Sequence, residues 1–300
     1  MFNFREILFE RRKIWNIGIC NAPVSSFIDA SFRPTISWLP FPAKNTFIAD
    51  PFPLLHNNKL YIFVEEFDFN SNKGHISVIE QKSNGIFSRP VKVMSSDSHM
   101  SFPFIVKHQG EIYCIPETYQ AGQLDIYKAT IFPYKWEKEK TLLSLPVVDP
   151  AIFFHNNNWW LFYSLASEDK VNEELYISYS NSLTGPWLQH PLNPVKTDIT
   201  SSRSAGTLFT YNGALYRPAQ NCFNKYGEKI SLNKIIELTT TTFKEEIVNE
   251  LSPVITGKYS DGIHTISGTG NLTVVDGRIV LPVLKTAKTF FKILNNKFYN

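Results

Sequence analysis

The sequence is short of the features that would place it in a membrane, a disulfide framework or a nucleic-acid complex. No run approaches the ~18 apolar residues of a membrane span. The first twenty residues, MFNFREILFERRKIWNIGIC, are broken by charges every few positions, which is not the pattern of a secretory leader. Cysteine is scarce. Cys20, Cys114 and Cys222 are odd in number, far apart, and each lies in or beside an apolar run. They read as buried free thiols in a reducing compartment, not as a zinc site or a disulfide set, and a cytoplasmic location is expected. Charge is sparse too, at 19% with a net +3 and no long Lys/Arg run, so no nucleic-acid partner is expected. The basic ends, FERRK and KTAKTFFKILNNKFYN, allow a weak peripheral contact with an anionic membrane surface; solvated termini are the plainer reading.

Aromatic side chains are what the chain has in abundance: 24 Phe and 13 Tyr among 300 residues, within a 43% hydrophobic composition that supports a large core. Aromatic enrichment favours strands and offers flat surfaces on which sugar rings stack. Amphipathic helix patterns are nearly absent; FREILFERRK at the start is the one segment expected to form a short helix.

The strand pattern repeats. IADPFPLLHNNKLYIFVEE, FPFIVKHQGEIYCIPET, DPAIFFHNNNWWLFYS, AGTLFTYNGALYRPAQ and, more weakly, TGNLTVVDGRIVLPVLK each read as a short strand, a tight polar turn and a second strand. Further strand-like runs follow each copy, giving about four antiparallel strands per unit of roughly 50 residues, the period of a propeller blade. The expectation is an all-β, five-bladed β-propeller over residues 15–285. IWNIGICNA would supply a strand to the last blade and close the ring. Residues 1–14 would be an extension and 286–300 a basic tail. A sandwich would account for the strands but not for the fivefold recurrence.

In such a blade the first strand lines the central channel and the second returns antiparallel, so the start of one and the end of the other meet at one mouth. That logic gathers Asp50 with Glu65 or Glu66 from the first unit, Glu66 being the one assigned to substrate. It adds Glu117 from the second, Asp149 from the third, Arg203, Arg217 and Gln220 from the fourth and His264 from the fifth. His56, His108 and His155 fall in the turns at the opposite end. Each residue also has a plainer reading: Asp-Pro pairs shape turns, Glu117 is a solvated loop acid, the arginines are structural partners of the acids, and His264 is a satisfied interior histidine. No metal is assigned, since there is no run of oxygen ligands at fixed spacing.

Two resemblances follow from these segments. ADPFPLLHNNKLYIFVEE, VDPAIFFHNNNWWLFYS and HTISG are similar to the five-bladed propellers of glycoside hydrolase family 43. More closely, IADPF, LYIFVEEFD, KGHISVIE, IYCIPET, VDPAIF, RSAGTLF and LYRPAQNC together resemble the N-terminal domain of glucosamine inositolphosphorylceramide transferases and their bacterial relatives, over roughly residues 15–285. Such domains accompany transferase modules in surface-polysaccharide biosynthesis, which implies a sugar or glycan substrate and a polysaccharide-biosynthesis enzyme as a partner. The hydrolase resemblance implies Asp50 as general base and Asp149 as the residue that orients substrate and tunes the acid. It also implies a departure: the hydrolases take their acid from a Glu-Gly-Pro motif opening the fourth blade, where this chain has Arg203 in RSAGTLF.

The resulting expectation is a carbohydrate-active propeller, a glycosyltransferase for surface polysaccharide or glycolipid. Asp50 and Asp149 would be catalytic, Glu117 would be the candidate for a relocated acid, and Arg203 and Arg217 would hold a phosphate or carboxylate. No cofactor is implied; a nucleotide sugar would enter as substrate. A family-43-type hydrolase and a non-catalytic glycan-binding module are the alternatives.

Overall fold

The computed structural model describes residues 9–83, 85–166 and 169–284. The chain opens with β1 (Phe9–Cys20) and β2 (Ile36–Trp38), separated by a 3-10 turn over Val24–Ile28. Four blades follow. The first is β3 (Thr46–His56), β4 (Lys59–Asp68), β5 (Lys73–Glu80) and β6 (Val91–Met94). The second is β7 (Ser101–His108), β8 (Glu111–Glu117), β9 (Leu124–Ile131) and β10 (Lys135–Leu143). The third is β11 (Val147–His155), β12 (Asn158–Leu165), β13 (Glu174–Ser180) and β14 (Leu188–Gln189), with β15 (Lys196–Thr197) also on β13. The fourth is β16 (Phe209–Tyr211), β17 (Ala214–Asn221), β18 (Lys229–Leu238) and β19 (Phe243–Leu251). The fifth sheet has the order β2–β1–β21–β20, with β20 (Ile266–Thr269) and β21 (Leu272–Leu284) joined by the chain's own first strands. The ring is closed as expected, by two N-terminal strands rather than one.

The closure is longer than expected. β1 pairs with β21 from Phe9↔Leu284 to Cys20↔Thr273, so residues 9–13 of the expected helix are strand. The alternation in Arg11, Lys13 and Trp15, which share one face of β1, fits a strand better than the helical spacing read there. The rest of that helix, and the basic tail 286–300, lie outside the described residues.

The blade hairpins turn through pairs of residues with positive φ: Asn57-Asn58, Gln109-Gly110, Asn156-Asn157 and Asn212-Gly213. Both φ values positive in a two-residue loop is the type I′ turn, whose twist matches that of the strands it joins. Asn and Gly tolerate it best, which is why these turns were legible. His56, His108 and His155 immediately precede the turns and pair across them, at the end away from the mouth.

The core lies between blades, so most strands are apolar on both faces. In β4, Leu60, Ile62 and Val64 pack with Ile17, Ile19 and Ile48 toward the fifth blade, while Tyr61 and Phe63 pack with Met100 and Cys114 toward the second. Phe52, Phe63, Phe102 and Phe162 are fully buried, each stabilising the fold by about 1.5–3 kcal/mol. All three cysteines are buried and free. Among the described residues no helix is long and apolar enough to cross a membrane.

Candidate functional site

Three inner strands carry a bulge at the same place. The register shifts between Ala49 and Phe52, between Ser101 and Phe104, and between Val148 and Ala151. At each shift one residue takes a left-handed backbone: Asp50 (φ 52°), Phe102 (φ 45°) and Asp149 (φ 46°). For a residue with a side chain this is unfavourable by roughly 1–2 kcal/mol, and it turns the N–H of each away from the strand ladder. A carboxylate from the preceding blade accepts each one. Asp276 Oδ2 takes the Asp50 N–H (3.2 Å), Asp50 Oδ2 takes the Phe102 N–H (3.1 Å), and Glu117 Oε2 takes the Asp149 N–H (2.9 Å). Asp149 continues the relay into the fourth blade, where its Oδ2 accepts from Arg203 Nε (2.5 Å) and Gln220 Nε2 (2.7 Å). The acids at the blade ends therefore stitch neighbouring blades together.

The same acids surround a cavity of about 230 Å³ lined by Trp15, Phe47, Asp50, Glu65, Phe67, His99, Ser101, Glu117, Asp149, Arg203, Tyr226 and His264. Burial, partly offset by His264, pushes the Asp50 carboxyl up to about 6. Burial first, then the Asp50 and Glu117 carboxylates, hold Glu65 well above the usual range. Burial and Asp149 do the same to Glu117, against the pull of Arg203. Asp50, raised to about 6, is mostly ionised at neutral pH, while burial and the neighbouring carboxylates make Glu65 and Glu117 hold their protons more tightly than free glutamates do.

The polar groups around them have assigned roles. Burial keeps His99 neutral. Its Nδ1 accepts the Gly74 N–H at 2.9 Å, so its proton sits on Nε2, 3.3 Å from Glu65 Oε1. His264 stacks on Trp15 with ring centroids 4.0 Å apart, and its Nδ1 is 2.5 Å from Asp276 Oδ2. Burial opposes its charge, but the carboxylates of Asp276, Asp50 and Asp149 together outweigh burial and raise its pKa. Its Nε2 lies 3.8 Å from Asp50 Oδ1, which also accepts from Thr265 Oγ1 at 2.9 Å. Asp50, His264 and Asp276 are the one set among the described residues able to offer three ligands to a metal ion. The hydrogen bond from His264 to Asp276 uses part of that set, so an ion would have to displace it.

Asp50, Glu117, Asp149, Arg203 and His264 thus converge as the sequence predicts. Gln220 supports Asp149 from behind the cavity wall. Two expectations are not met. Glu66 faces the other way: it bonds Ser77 Oγ (2.7 Å), pairs with His75 (3.3 Å), and lines a side groove with Leu39, Ile48 and Ile79. Adjacent strand residues point to opposite faces, so Glu65 and not Glu66 reaches the mouth. Both faces of β4 are apolar, so hydrophobicity could not reveal which acid points in. Arg217 is also absent from the mouth. Its guanidinium is wholly buried, with Nε 2.9 Å and Nη2 2.5 Å from Glu245 and further bonds to the carbonyls of Ser201 and Ser202. Arg203, tied to Asp149, is the one arginine lining the cavity, stacked over Tyr226 at 5.0 Å.

Sequence reasoning missed Trp15, His99, Tyr226 and Asp276. Asp276-Gly277 looks like a turn, yet it lies inside the long β21. Gly277 is needed there because a Cβ would stand 2.4 Å from the Trp38 ring and 2.7 Å from Tyr259 Cβ. Gly74 is similarly constrained: a Cβ would stand 2.5 Å from Glu65 Oε1 and 2.7 Å from the Met100 carbonyl. Gly74→Ala is expected to cost about 1–3 kcal/mol by overpacking, read as a lower denaturant midpoint at unchanged slope.

The blade count and the carboxylate-lined mouth define the class, a five-bladed propeller. Solved structures with this fold include a thermostable family-43 glycoside hydrolase, 13% identical with a TM-score of 0.55 over 67% of this chain and 76% of that one. Another is a family 117 glycoside hydrolase from the marine bacterium Zobellia galactanivorans, 14% identical with a TM-score of 0.53 over 78% and 85%. At that identity the likeness speaks for the fold. Residues 10–262 match the family described as glucosamine inositolphosphorylceramide transferase 1, N-terminal, and the chain belongs to that family. It is 35% identical over 232 residues to glucosamine inositolphosphorylceramide transferase 1 of Oryza sativa subsp. indica, covering 76% of this chain and 31% of that protein. To the Arabidopsis thaliana protein of the same name it is 34% identical over 257 residues, covering 84% and 33%. The chain spans about a third of the length of these curated relatives.

Proposed function

We propose that the mouth is a carbohydrate site that acts on a glycosidic or sugar-phosphate bond, transferring the sugar to an acceptor hydroxyl. The observation that carries this reading is the convergence, in one cavity, of Asp50, raised to about 6, with two more carboxyls that burial and their neighbours hold well above the usual range. Clustered acids held in different surroundings can divide the roles of base and acid. Asp50 is the base that takes the proton of the attacking hydroxyl. Glu117 is the acid for the leaving oxygen: its Oε2 is fixed by the Asp149 N–H, which leaves Oε1 to carry the proton. Asp149 and Arg203 hold each other and orient the substrate. Phe47, Phe67 and Tyr226 give the ring apolar faces to lie against.

Transfer is preferred to hydrolysis on the strength of the family, whose curated relatives bear the name glucosamine inositolphosphorylceramide transferase 1. The phosphate-holding role expected of Arg203 and Arg217 does not support it, since both guanidiniums are bonded to carboxylates. A second reading, a glycan-binding module without turnover, is favoured by the hydrogen bonds that commit each acid to the neighbouring blade. In that reading the chain would work beside a separate catalytic enzyme of polysaccharide or glycolipid synthesis.

The deciding experiment offers the protein activated glucosamine donors with inositolphosphorylceramide acceptors and, separately, aryl glycosides, and follows product against pH. Transfer is expected to rise through an acid limb near pH 6 as Asp50 ionises, and to fall where the acid, Glu117, loses its proton. Free sugar in place of a transferred product would assign hydrolysis. Sugar binding with no turnover at any pH would assign the binding module.

A further inference from the structure

The acidic mouth has a basic neighbour. A pocket of about 590 Å³ opens beside it, lined by Arg11, Lys13, Lys225, Tyr226, Asp261, Arg278 and Val280. Tyr226 is the wall shared with the mouth. The two are also joined along the fifth blade. Trp15, Lys13 and Arg11 follow one another on one face of β1, each step about 7 Å, so the strand that puts Trp15 in the mouth carries the two cations outward. On β21, Arg278 stands directly opposite Trp15 and Val280 opposite Lys13. The guanidinium of Arg278 lies 5.0 Å from the Trp15 ring centroid.

Arg278 is the telling residue. It is 2% exposed, and its polar partners are the carbonyls of Tyr226 (3.1 Å) and Asp261 (2.8 Å). Its Nε has no hydrogen-bond partner, and among the described residues no carboxylate forms a salt bridge with it. A buried guanidinium without a salt-bridge partner is costly; burial lowers its pKa, offset only in part by the fields of Tyr226, Asp261 and Asp276. Among the described residues no carboxylate pairs with Arg11, Lys13 or Lys225 either. The one acid in the pocket wall, Asp261, accepts the Val280 N–H at 2.8 Å. Four cations against one carboxylate in the wall, around a buried arginine that forms no salt bridge among the described residues, make a site for an anion.

We propose that this pocket is an anion subsite that binds a phosphate or diphosphate group attached to the molecule whose sugar enters the mouth. Guanidinium and ammonium groups together suit phosphate oxygens. The group could belong to a soluble sugar nucleotide or to a phosphodiester lipid headgroup, and the chemistry at the pocket is the same for both. The biological role rests on the mouth being a sugar site; the anion binding does not. Division of labour between the pockets also resolves a conflict at the mouth, where clustered carboxylates would repel a diphosphate.

The test uses calorimetric titration with inorganic pyrophosphate and with uridine diphosphate, and flotation with phosphatidylinositol or phosphatidylcholine vesicles. The comparison is between wild type and Lys13→Glu/Lys225→Glu, whose side chains are exposed, so that the fold is retained. Salt-sensitive binding of the soluble anions, weakened at least tenfold in the double variant, supports the subsite with a soluble source. Binding to phosphatidylinositol but not phosphatidylcholine vesicles, lost in the double variant, supports it with a lipid source. Asp50→Asn is expected to bind the same anions as wild type, so failure of the catalytic reading does not obscure the result. No anion binding by the wild type in either arm, or binding unchanged by the two charge reversals, overturns the proposal.

Discussion

Asp50→Asn is expected to lower turnover at the mouth by about 10²–10⁴-fold, the usual loss for a general base, and at the same time to make the protein more stable at pH 7. The sign follows from linkage. Burial raises the folded-state pKa of Asp50 from 3.8 to about 6, so the native state holds this proton more tightly than the unfolded chain. The group's contribution is most favourable below pH ~4, declines as pH rises through 6, and is then level. A shift of roughly two units corresponds to about 2–3 kcal/mol. Asparagine does not titrate, can accept the Phe102 N–H through its carbonyl, and can donate to Thr265 Oγ1. Thermal unfolding should show the variant ahead of wild type at pH 7.5, with the gap narrowing toward pH 4. A variant less stable at pH 7.5 would mean that the bonds made by the ionised carboxylate outweigh its desolvation. Unchanged turnover would remove Asp50 from the chemistry.

Arg217→Met is expected to destabilise the fold by about 3–5 kcal/mol, because it strands the Glu245 carboxylate in the interior. The two side chains are 0% and 1% exposed. Lys196 Nζ, 2.9 Å from Glu245 Oε1, remains as a partial partner, which places the loss toward the lower end. Removing both charges with Arg217→Met/Glu245→Leu should recover much of it, since a buried ion pair replaced as a unit costs little. Urea midpoints of the two variants check this. A stable Arg217→Met protein that had lost only ligand binding would restore this arginine to a site role, in conflict with its position.

How much of this was legible depended on the range of the cause. Four of the five hairpins were readable because each turn is a local event: Asn-Asn, Gln-Gly and Asn-Gly pairs accept positive φ where other residues resist it; the fifth was read around Asp276-Gly277, whereas the turn lies between Thr269 and Leu272. Once the repeat was recognised, antiparallel geometry was enough to bring Asp50, Glu117, Asp149, Arg203 and His264 to one mouth. The choice between Glu65 and Glu66 was not readable. It depends on strand parity, and β4 is buried between two blades with apolar residues on both faces, so the usual inside-outside alternation is missing. The bulges at Asp50, Phe102 and Asp149 were invisible for a related reason. Their left-handed backbones are held by carboxylates more than 30 residues away in the chain.

What the sequence by itself determined is the architecture and the inventory: five blades, the strand-turn-strand units of four of them, a ring closed by the N-terminus, and a set of acids and cations at the unit ends. Those follow from periodicity and turn chemistry, which act over a few residues. The tertiary structure decided what each charge is for. It turned Glu66 and Arg217 away, brought Glu65, Asp276 and Trp15 in, and raised the Asp50 carboxyl to about 6 by closing blades over it. It also left Arg278 buried beside the mouth with no salt bridge among the described residues. Those outcomes depend on burial and on neighbours from other blades, and neither quantity exists until the ring is closed.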